Sequence, residues 1–350
     1  MKFVSPRTIA VIAVIAVVAA VASIAAFHSL QSHDVSNSDP LPSLHTVCVG
    51  RLLVDLPDDV EPDGDVELYY GLGRDFKTAK FEPIKRRATR HDFDAAVASR
   101  IATLSQEYAE GTPSHNLLAS TRKLDEQSVL IVAHEEPFMK GFFRAEIIFM
   151  RGQSIARVTR QVYDHDRPAD IEAKLIDLIS RISAFDDPSP AGKGTCLGGM
   201  AIDAGQDGED FTIAMRSSRL PSLRMGIAIN SMIATGDGGL LHRVDSKAGD
   251  LAALGATGST LRKGKTMIAD RAAEELVSAA KDHDKVVRQF DAETVLLKPS
   301  TFAEPHIHVD MTLGGQVPGG DYVDPGMSEK DSIALWDAVI KSIRVRPGAV

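Results

Sequence analysis

The pattern of apolar and polar residues in the first half of the chain predicts several strands and two helices. The opening stretch 45–57 is strand-like. A helix is predicted from about Asp92, as its N-cap, to Gly111. Three runs with period-two alternation then predict strands, and a second helix closes the half. The runs are 128–135, 142–151 and 154–163, and the closing helix carries Leu175, Leu178, Ile179 and Ile182 on one face.

The second half repeats this order after a Pro- and Gly-rich segment. Its Gly-rich stretch 236–264 is expected to form loops, and a helix is expected to begin near Asp270. That helix would place Ala273, Leu276, Val277 and Ala280 on one face. Strands are predicted at 211–218, 223–231, 285–298 and 305–313, before a closing helix with Trp336, Val339, Ile340 and Ile343.

Short turns between neighbouring strands indicate an α+β fold with mainly antiparallel sheets and packed helices, not a doubly wound parallel sheet. The length of 350 residues suits two related domains. The N-terminal domain is predicted at 44–186 and the C-terminal domain at 195–346, joined by the linker 187–194.

The first 43 residues differ from the rest. Lys2 and Arg7 precede the charge-free apolar run 9–27, which is typical of a secretory signal within residues 1–30. The run is also nearly long enough to span a bilayer, so cleavage and inner-membrane anchoring both stay open. Residues 31–43 read as a polar tether. Either way we expect the remainder to lie in the periplasm.

Charge and composition narrow the range of partners. The formal net charge is −9, and it becomes −11 without residues 1–30, which hold two basic and no acidic residues. This balance argues against nonspecific binding to nucleic acid or anionic lipid. The acidic segment at the start of the first half is a candidate steering surface for a basic partner, with a solvated loop as the alternative. Its acids are Asp58, Asp59, Glu61, Asp63, Asp65 and Glu67.

One strand carries a candidate metal site. His306, His308 and Asp310 alternate along 305–313, so their side chains face the same way. Further ligands downstream would be needed, and the chain beyond offers no His or Cys. A polar strand face turned to solvent or to a partner is therefore favoured over a metal site.

Recognisable catalytic motifs are missing from the sequence. The stretch 259–266 nearly spells a phosphate-binding loop, but its leading glycine stands one position too early. There is no Gly-x-Ser-x-Gly elbow. We assign no catalytic, cofactor-binding or metal residues, expect no cofactor, and expect that the protein is not an enzyme.

The two cysteines stand in matching strings that open the two halves. The string "TVCVGRLLVDLP" holds Cys48, and "GTCLGGMAID" holds Cys196. Period-two alternation puts each thiol on the more apolar strand face, so we expect the thiols to lie in separate cores. A disulfide between them is the alternative that an exported protein allows.

These strings and their two-domain order resemble the immunity proteins of type VI secretion phospholipase effectors, over most of residues 44–346. The resemblance implies exported proteins of two α+β domains arranged like a claw, which grip a cognate lipase and keep lipid from its active site. The second string has Gly199 where the first has Arg51, and Gly205 where the first has Pro57. Partner contacts are therefore not transferred to numbered residues.

Two other functions stay open from the sequence. A membrane-tethered periplasmic scaffold or adaptor would use the same N-terminal segment. A periplasmic hydrolase would need an active site that no recognisable motif marks.

Overall fold

The computed structural model describes residues 42–71, 77–107, 116–135, 142–162, 168–187, 192–235, 238–253, 258–317 and 319–350. The predicted signal or anchor segment and most of the tether lie outside these residues. Among the described residues, no helix is both long and apolar enough to cross a membrane.

The described residues of the N-terminal half form nine strands and two helices. Its strands are β1 (Leu44–Val49), β2 (Leu52–Pro57), β3 (Val60–Tyr70), β4 (Lys77–Lys85), β5 (Leu118–Asp125), β6 (Ser128–His134), β7 (Phe143–Arg151), β8 (Ser154–Val162) and β9 (Ile182–Ala184). Helix α1 spans Arg90–Gln106 and helix α2 spans Pro168–Ser180.

In the C-terminal half, the part that the structure describes contains eleven strands and two helices. Its strands are β10 (Thr195–Leu197), β11 (Met200–Ile202), β12 (Gly208–Ser217), β13 (Leu223–Asn230), β14 (Gly258–Ile268), β15 (Arg271–Asp282), β16 (Lys285–Thr294), β17 (His306–Leu313), β18 (Gly315–Gln316), β19 (Tyr322–Val323) and β20 (Arg344–Val345). Helix α3 spans Leu240–Ala253 and helix α4 spans Glu329–Ser342.

Helix α1 begins three residues earlier than predicted. Its N-cap is Thr89, whose side chain accepts from the Asp92 backbone N–H, while the Asp92 carboxylate accepts from the Thr89 backbone N–H. This reciprocal capping box makes Asp92 the third helical residue and not the cap. The lowered pKa of Asp92 follows from its hydrogen bonds with Lys85 and Thr89.

Twelve strands form one continuous antiparallel sheet through both halves. The N-terminal half contributes β3-β4-β8-β7-β6-β5 and the C-terminal half contributes β12-β13-β17-β16-β15-β14, each written from the middle of the sheet outward. The two halves therefore have the same strand order, and they join where β3 pairs with β12 over ten residue pairs. The predicted α+β fold with mainly antiparallel sheets is confirmed.

Each half also lends its last strand to the other half. Strand β9, which follows α2, pairs with β11 of the C-terminal half. Strand β20, which follows α4, pairs with β2 of the N-terminal half. This reciprocal exchange means that neither half completes its small three-stranded sheet from its own residues.

The main core lies on one face of the long sheet, which we call the core face. Hairpins β1–β2 and β10–β11, together with α2 and α4, cover it. The largest cluster of buried apolar residues runs through both halves, from Val47 to Ile343. Separate cores for two domains, expected from the sequence, are therefore replaced by a shared core.

Two predictions for the C-terminal half are wrong. The expected helix at Asp270 is strand β15, because Ala269 and Asp270 have left-handed backbones and form a two-residue hairpin turn. β15 buries Ala273 and Val277 on the core face and Leu276 on the other. A strand buried on both faces loses its period of two and imitates helical spacing.

The stretch 236–264, predicted as loop, contains α3 and the start of β14. Leu240 and Val244 of α3 pack against Leu276 of β15. Strands β4 and β5 were also missed by the sequence analysis. β5 is an edge strand that is largely exposed, so it lacks a hydrophobic pattern.

Candidate functional site

The second face of the long sheet, opposite the core face, is covered only near its two ends among the described residues. Helix α1 packs there on β5, β6 and β7, with Phe93 and Leu104 against Ile148. Helix α3 packs on β15 at the other end. We call the uncovered middle of this face, formed by β4, β3, β12, β13 and β17, the central trough.

One buried glutamate holds each flanking helix to the sheet. Arg100 of α1 donates to Glu146 of β7, with Nε 2.8 Å from Oε2, and the Glu146 side chain is 1% exposed. Arg243 of α3 donates to Glu293 of β16, with Nη1 3.0 Å from Oε1. Burial opposes the ionised forms, but the arginine hydrogen bonds lower the pKa of Glu146.

These two glutamates are equivalent in the duplicated fold. Each ends a Phe-x-Ala-Glu string, at Phe143–Glu146 and at Phe290–Glu293. Glu146 pairs with Thr159 and Glu293 pairs with His308, so Thr159 corresponds to His308. Thr159 in turn pairs with Lys80 and His308 pairs with Ala228, so Lys80 corresponds to Ala228. This repeated string is the sequence signal that could have located both helix attachments, and it was missed.

The floor of the trough is polar and acidic at its centre. Asp63 on β3, and Thr212, Ala214 and Arg216 on β12, are exposed. Asp65 pairs with Lys80 at 2.8 Å, while the Tyr69 hydroxyl donates to Glu67 at 2.7 Å.

Asp210 of β12 lies opposite Glu67 in the register. Its pKa is raised, first by burial and then by the charge of Glu67, with Asp65 adding to the effect. A carboxylate whose pKa is raised by neighbouring carboxylates favours a cationic partner, because a cation relieves the repulsion.

The acidic segment predicted from the sequence is a strand and not a loop. Asp63, Asp65 and Glu67 lie on β3 in the middle of the molecule, in the floor of the central trough. Glu61 stands opposite Arg216 in the register. Asp58 accepts from Ser43, and Asp59 accepts from Ser217 and from the Arg219 backbone N–H at 2.9 Å. Their role in partner binding stays a prediction.

The predicted polar row of β17 is held by partners within the protein. His306 Nε2 lies 3.2 Å from Glu293 Oε1, and His308 Nε2 lies 3.6 Å from Asp291 Oδ1. The opposite row, Ile307, Val309, Met311 and Leu313, is buried as the alternation predicted. In the described part of the chain, no group of three or more His, Cys, Asp or Glu side chains is placed to hold a metal ion.

The two cysteines are bonded to each other. Cys48 and Cys196 form a disulfide with Cα atoms 5.9 Å apart. Gly50 and Cys196 also exchange backbone hydrogen bonds of 2.9 and 2.7 Å. The expectation of two thiols in separate cores is wrong, because the opening hairpins meet where the halves join.

The buried Arg51 fastens the same junction. Its Nε lies 2.8 Å from Glu209 Oε1 of the C-terminal half, and it donates to the Ala349 carbonyl near the end of the chain. Arg51 belongs to the string "TVCVGRLLVDLP", so this string is a junction between the halves.

The fold and the trough thus define a class of protein: a duplicated antiparallel sheet that is locked at its centre and open on one face between two attached helices. Such a surface suits the binding of another macromolecule. No arrangement of nucleophile, base and oxyanion donors is apparent among the described residues.

Comparisons with known proteins match the C-terminal half of the chain to a family model. Residues 188–348 match the family model described as the Tle cognate immunity protein 4 C-terminal domain. The resemblance to type VI secretion immunity proteins is thereby confirmed. No curated protein sequence matches the chain.

Solved structures share the fold over both halves. The apo structure of immunity protein TplEi of the type VI secretion system from Pseudomonas aeruginosa has a TM-score of 0.62 at 22% identity, covering 87% of this chain and 98% of that chain. The Tle4-Tli4 complex structure gives 0.63 at 21% identity, with coverages of 88% and 99%. TplEi complexed with "L" peptide gives 0.59 at 20% identity, with coverages of 87% and 99%.

Proposed function

We propose that this protein is an immunity protein that binds a type VI secretion phospholipase effector in the periplasm and blocks it sterically. The family match of the C-terminal half and the shared fold of immunity proteins, one of them in a Tle4-Tli4 complex, support the proposal. In this mechanism the protein performs no chemistry. It covers the entrance through which lipid reaches the effector's active site.

The central trough is the observation that carries the proposal. Its floor spans five strands of a sheet shared by both halves, and α1 and α3 stand at its two sides. Because the buried ion pairs and the disulfide fix the sheet and helices before binding, little ordering entropy is lost on association. A rigid concave surface of this kind favours a tight complex.

The charge of the trough indicates the chemistry of its partner. Asp65, Glu67 and Asp210 repel each other at the centre of the floor. We expect a lysine or arginine of the effector to contact this group, since a central charged anchor contributes strongly once water is excluded.

Two independent features support export. The N-terminal segment 1–30 has the composition of a secretory signal or anchor. The Cys48–Cys196 disulfide is a bond that persists in oxidising compartments such as the periplasm. An effector delivered to that compartment would meet the protein there.

A mixing experiment tests the function directly. The purified protein, added to the lipase encoded by the neighbouring gene, should form a stoichiometric complex by gel filtration and abolish lipid hydrolysis. Full lipase activity in the presence of excess protein would reject the proposal.

Two matched substitutions test the trough as the binding surface. Ala214→Arg places a long cation on the exposed floor, and we expect it to weaken the complex about 100-fold, the effect of a central interface residue. Ala95→Arg is the control, because Ala95 is exposed on the side of α1 turned away from the sheet. Equal binding by both variants would place the interface elsewhere.

A further inference from the structure

A cavity of about 750 Å³ opens between helix α2 and the core face of the N-terminal half. Its described lining comes from the end of β3, the start of β4, strand β8, helix α2 and the segment after β11. The lining residues that the following argument uses are Tyr70, Lys77, Arg160, Lys174, Asp177 and Arg181.

The duplicated fold provides an internal control for this cavity. Tyr70 pairs with Lys77 across β3 and β4. By the same correspondence of the two halves, Tyr70 is equivalent to Met215 and Lys77 is equivalent to Met225. These two methionines pair across β12 and β13. Both methionines are buried in the main core.

The same comparison applies to the next strand. Because Thr159 corresponds to His308, Arg160 corresponds to Val309, which is fully buried. Arg160 is only 7% exposed although it lies on the core face of β8. The C-terminal half thus shows that this fold needs no cation or phenol at these positions.

The closing helices also differ between the halves. The apolar positions 175, 178, 179 and 182 have the same spacing as 336, 339, 340 and 343, so Leu175 corresponds to Trp336. The Trp336 ring lies 5.5 Å from that of Phe290 and is fully buried.

The back of the cavity holds an unused polar atom. The Tyr70 hydroxyl is buried and makes no hydrogen bond to any described residue. Burial raises the pKa of Tyr70 to about 12, so the hydroxyl keeps its proton and remains a donor. The Arg160 guanidinium lies 5.5 Å from the centre of the Tyr70 ring.

The described part of the lining holds more cations than carboxylates, although the protein is acidic overall. Its described residues include four cations and one carboxylate, Asp177. Arg181 pairs with Asp177, with Nε 3.2 Å from Oδ2, and both side chains are about half exposed. Lys77, Arg160 and Lys174 are the other described cations.

We propose that this cavity is a binding site for a phosphate group, either free or carried by a small ester or a lipid headgroup. The tetrahedral oxyanion would accept hydrogen bonds from Arg160 and from the Tyr70 hydroxyl, while the lysines at the mouth neutralise its charge. Guanidinium groups suit this geometry because they donate two parallel hydrogen bonds to phosphate oxygens.

Calorimetric titration of the full chain with inorganic phosphate and with glycerol 3-phosphate tests the site without any effector. We expect saturable one-to-one binding. Arg160→Val, which installs the residue of the C-terminal half, should weaken it about tenfold or more, as expected for a lost charge-assisted hydrogen bond. Tyr70→Phe removes only the hydroxyl and should weaken binding about threefold to tenfold.

Arg219→Val is the matched control, because Arg219 is exposed on the loop after β12 and pairs with Asp59 at 3.4 Å. Tyr70→Phe keeps the test valid if Arg160→Val fails to fold. Phosphate binding that neither variant weakens would overturn the proposal, as would equal binding of citrate.

Sedimentation with phosphatidylglycerol vesicles separates the two sources of the phosphate. Vesicle binding that Arg160→Val abolishes, with weak binding of soluble phosphates, would assign a lipid headgroup. Binding of soluble phosphates without vesicle binding would assign a free metabolite. Binding of neither probe would reject the site.

Discussion

The two halves of this molecule have the same strand order but differ in what fills the space beneath their closing helices. The C-terminal half packs Trp336 against Phe290 and has the buried apolar residues Met215, Met225 and Val309 at the positions equivalent to Tyr70, Lys77 and Arg160. The N-terminal half has Leu175, and it places Tyr70, Lys77 and Arg160 around a cavity. The same strand order thus encloses a packed apolar core in one half and a polar cavity in the other.

The two halves also differ on the face of the sheet that carries the central trough. Both helices are attached by an arginine to a buried glutamate. In the N-terminal half, Glu146 has two further arginines nearby, Arg144 at 2.8 Å and Arg157 at 3.7 Å. In the C-terminal half, Glu293 has His306 and His308 instead, so its environment changes with pH near neutrality.

The largest expected effect comes from breaking the covalent link between the halves. Cys48→Ala with Cys196→Ala should lower the free energy of unfolding by about 3–5 kcal/mol, because the bond closes a long loop. Denaturant titration, with and without reductant, measures this. The double variant should not respond to reductant, and a loss below about 1 kcal/mol would mean that strand exchange is sufficient to hold the halves.

Trp336→Leu would make the C-terminal half resemble the N-terminal half. We expect a loss of about 2–3 kcal/mol, because a buried ring is replaced by a smaller side chain. Trp336→Phe, which keeps a ring near Phe290 but loses the 3.2 Å hydrogen bond to Glu275, should cost about 1 kcal/mol. Equal losses in thermal unfolding would show that the hydrogen bond matters more than packing.

Replacing the arginine that attaches each helix should show how the different neighbours of Glu146 and Glu293 affect stability. Arg243→Met should cost about 2 kcal/mol at pH 8 and less at pH 6, because the raised pKa of His308 leaves more positive charge beside Glu293 at the lower pH. Burial opposes ionisation of Glu293, but hydrogen bonds from His306 and Arg243 lower its pKa to about 2, so it is ionised at both pH values.

Arg100→Met is the comparison, and its cost should be the same at pH 6 and pH 8 because arginines surround Glu146. Urea titration at the two pH values measures both variants. A pH-independent cost for Arg243→Met would contradict a role of the histidines in supporting Glu293.

The smallest expected effect concerns His308. Burial would lower its pKa, but the hydrogen bond and charge of Asp291, with Asp310 and Glu293, raise it above 6.5. This stabilisation is fully present below pH 6.5 and is lost as the pH rises through the folded value. His308→Thr introduces the residue type of the equivalent position, Thr159. The free energy of unfolding of this variant should fall by about 1 kcal/mol less above pH 6.5 than that of the unchanged protein. An unchanged pH profile would mean that His308 titrates without affecting folding.

Local patterns in the sequence predicted much of this fold. Clear alternation gave β7, β8, β12, β13 and β17, and helical spacing gave α1, α2 and α4. Both failures in the C-terminal half involve neighbours that are distant in sequence. β15 is apolar on both faces because α3 covers one of them, and α3 itself lies in a stretch whose glycines predicted loops.

The candidate sites were harder to predict from the sequence than the secondary structure. The acids at 58–67 were noted as a group, but only the pairing of β3 with β12 places three of them on the floor of the trough beside Asp210. Arg160 and Tyr70 gave no local signal, because each lies in an ordinary strand and their meeting at one cavity depends on the sheet order.

The sequence by itself determined the repeated order of elements, the likeness to immunity proteins and the antiparallel α+β class, since these depend on local periodicity and on recurring strings. Its N-terminal segment predicts export. Only the tertiary structure decided that the two halves share one sheet and one core, that they exchange their last strands, and that Cys48 bonds to Cys196. The physical reason is that the β3–β12 pairing, the β2–β20 pairing and the disulfide each join residues more than a hundred positions apart, whose distances no local pattern encodes.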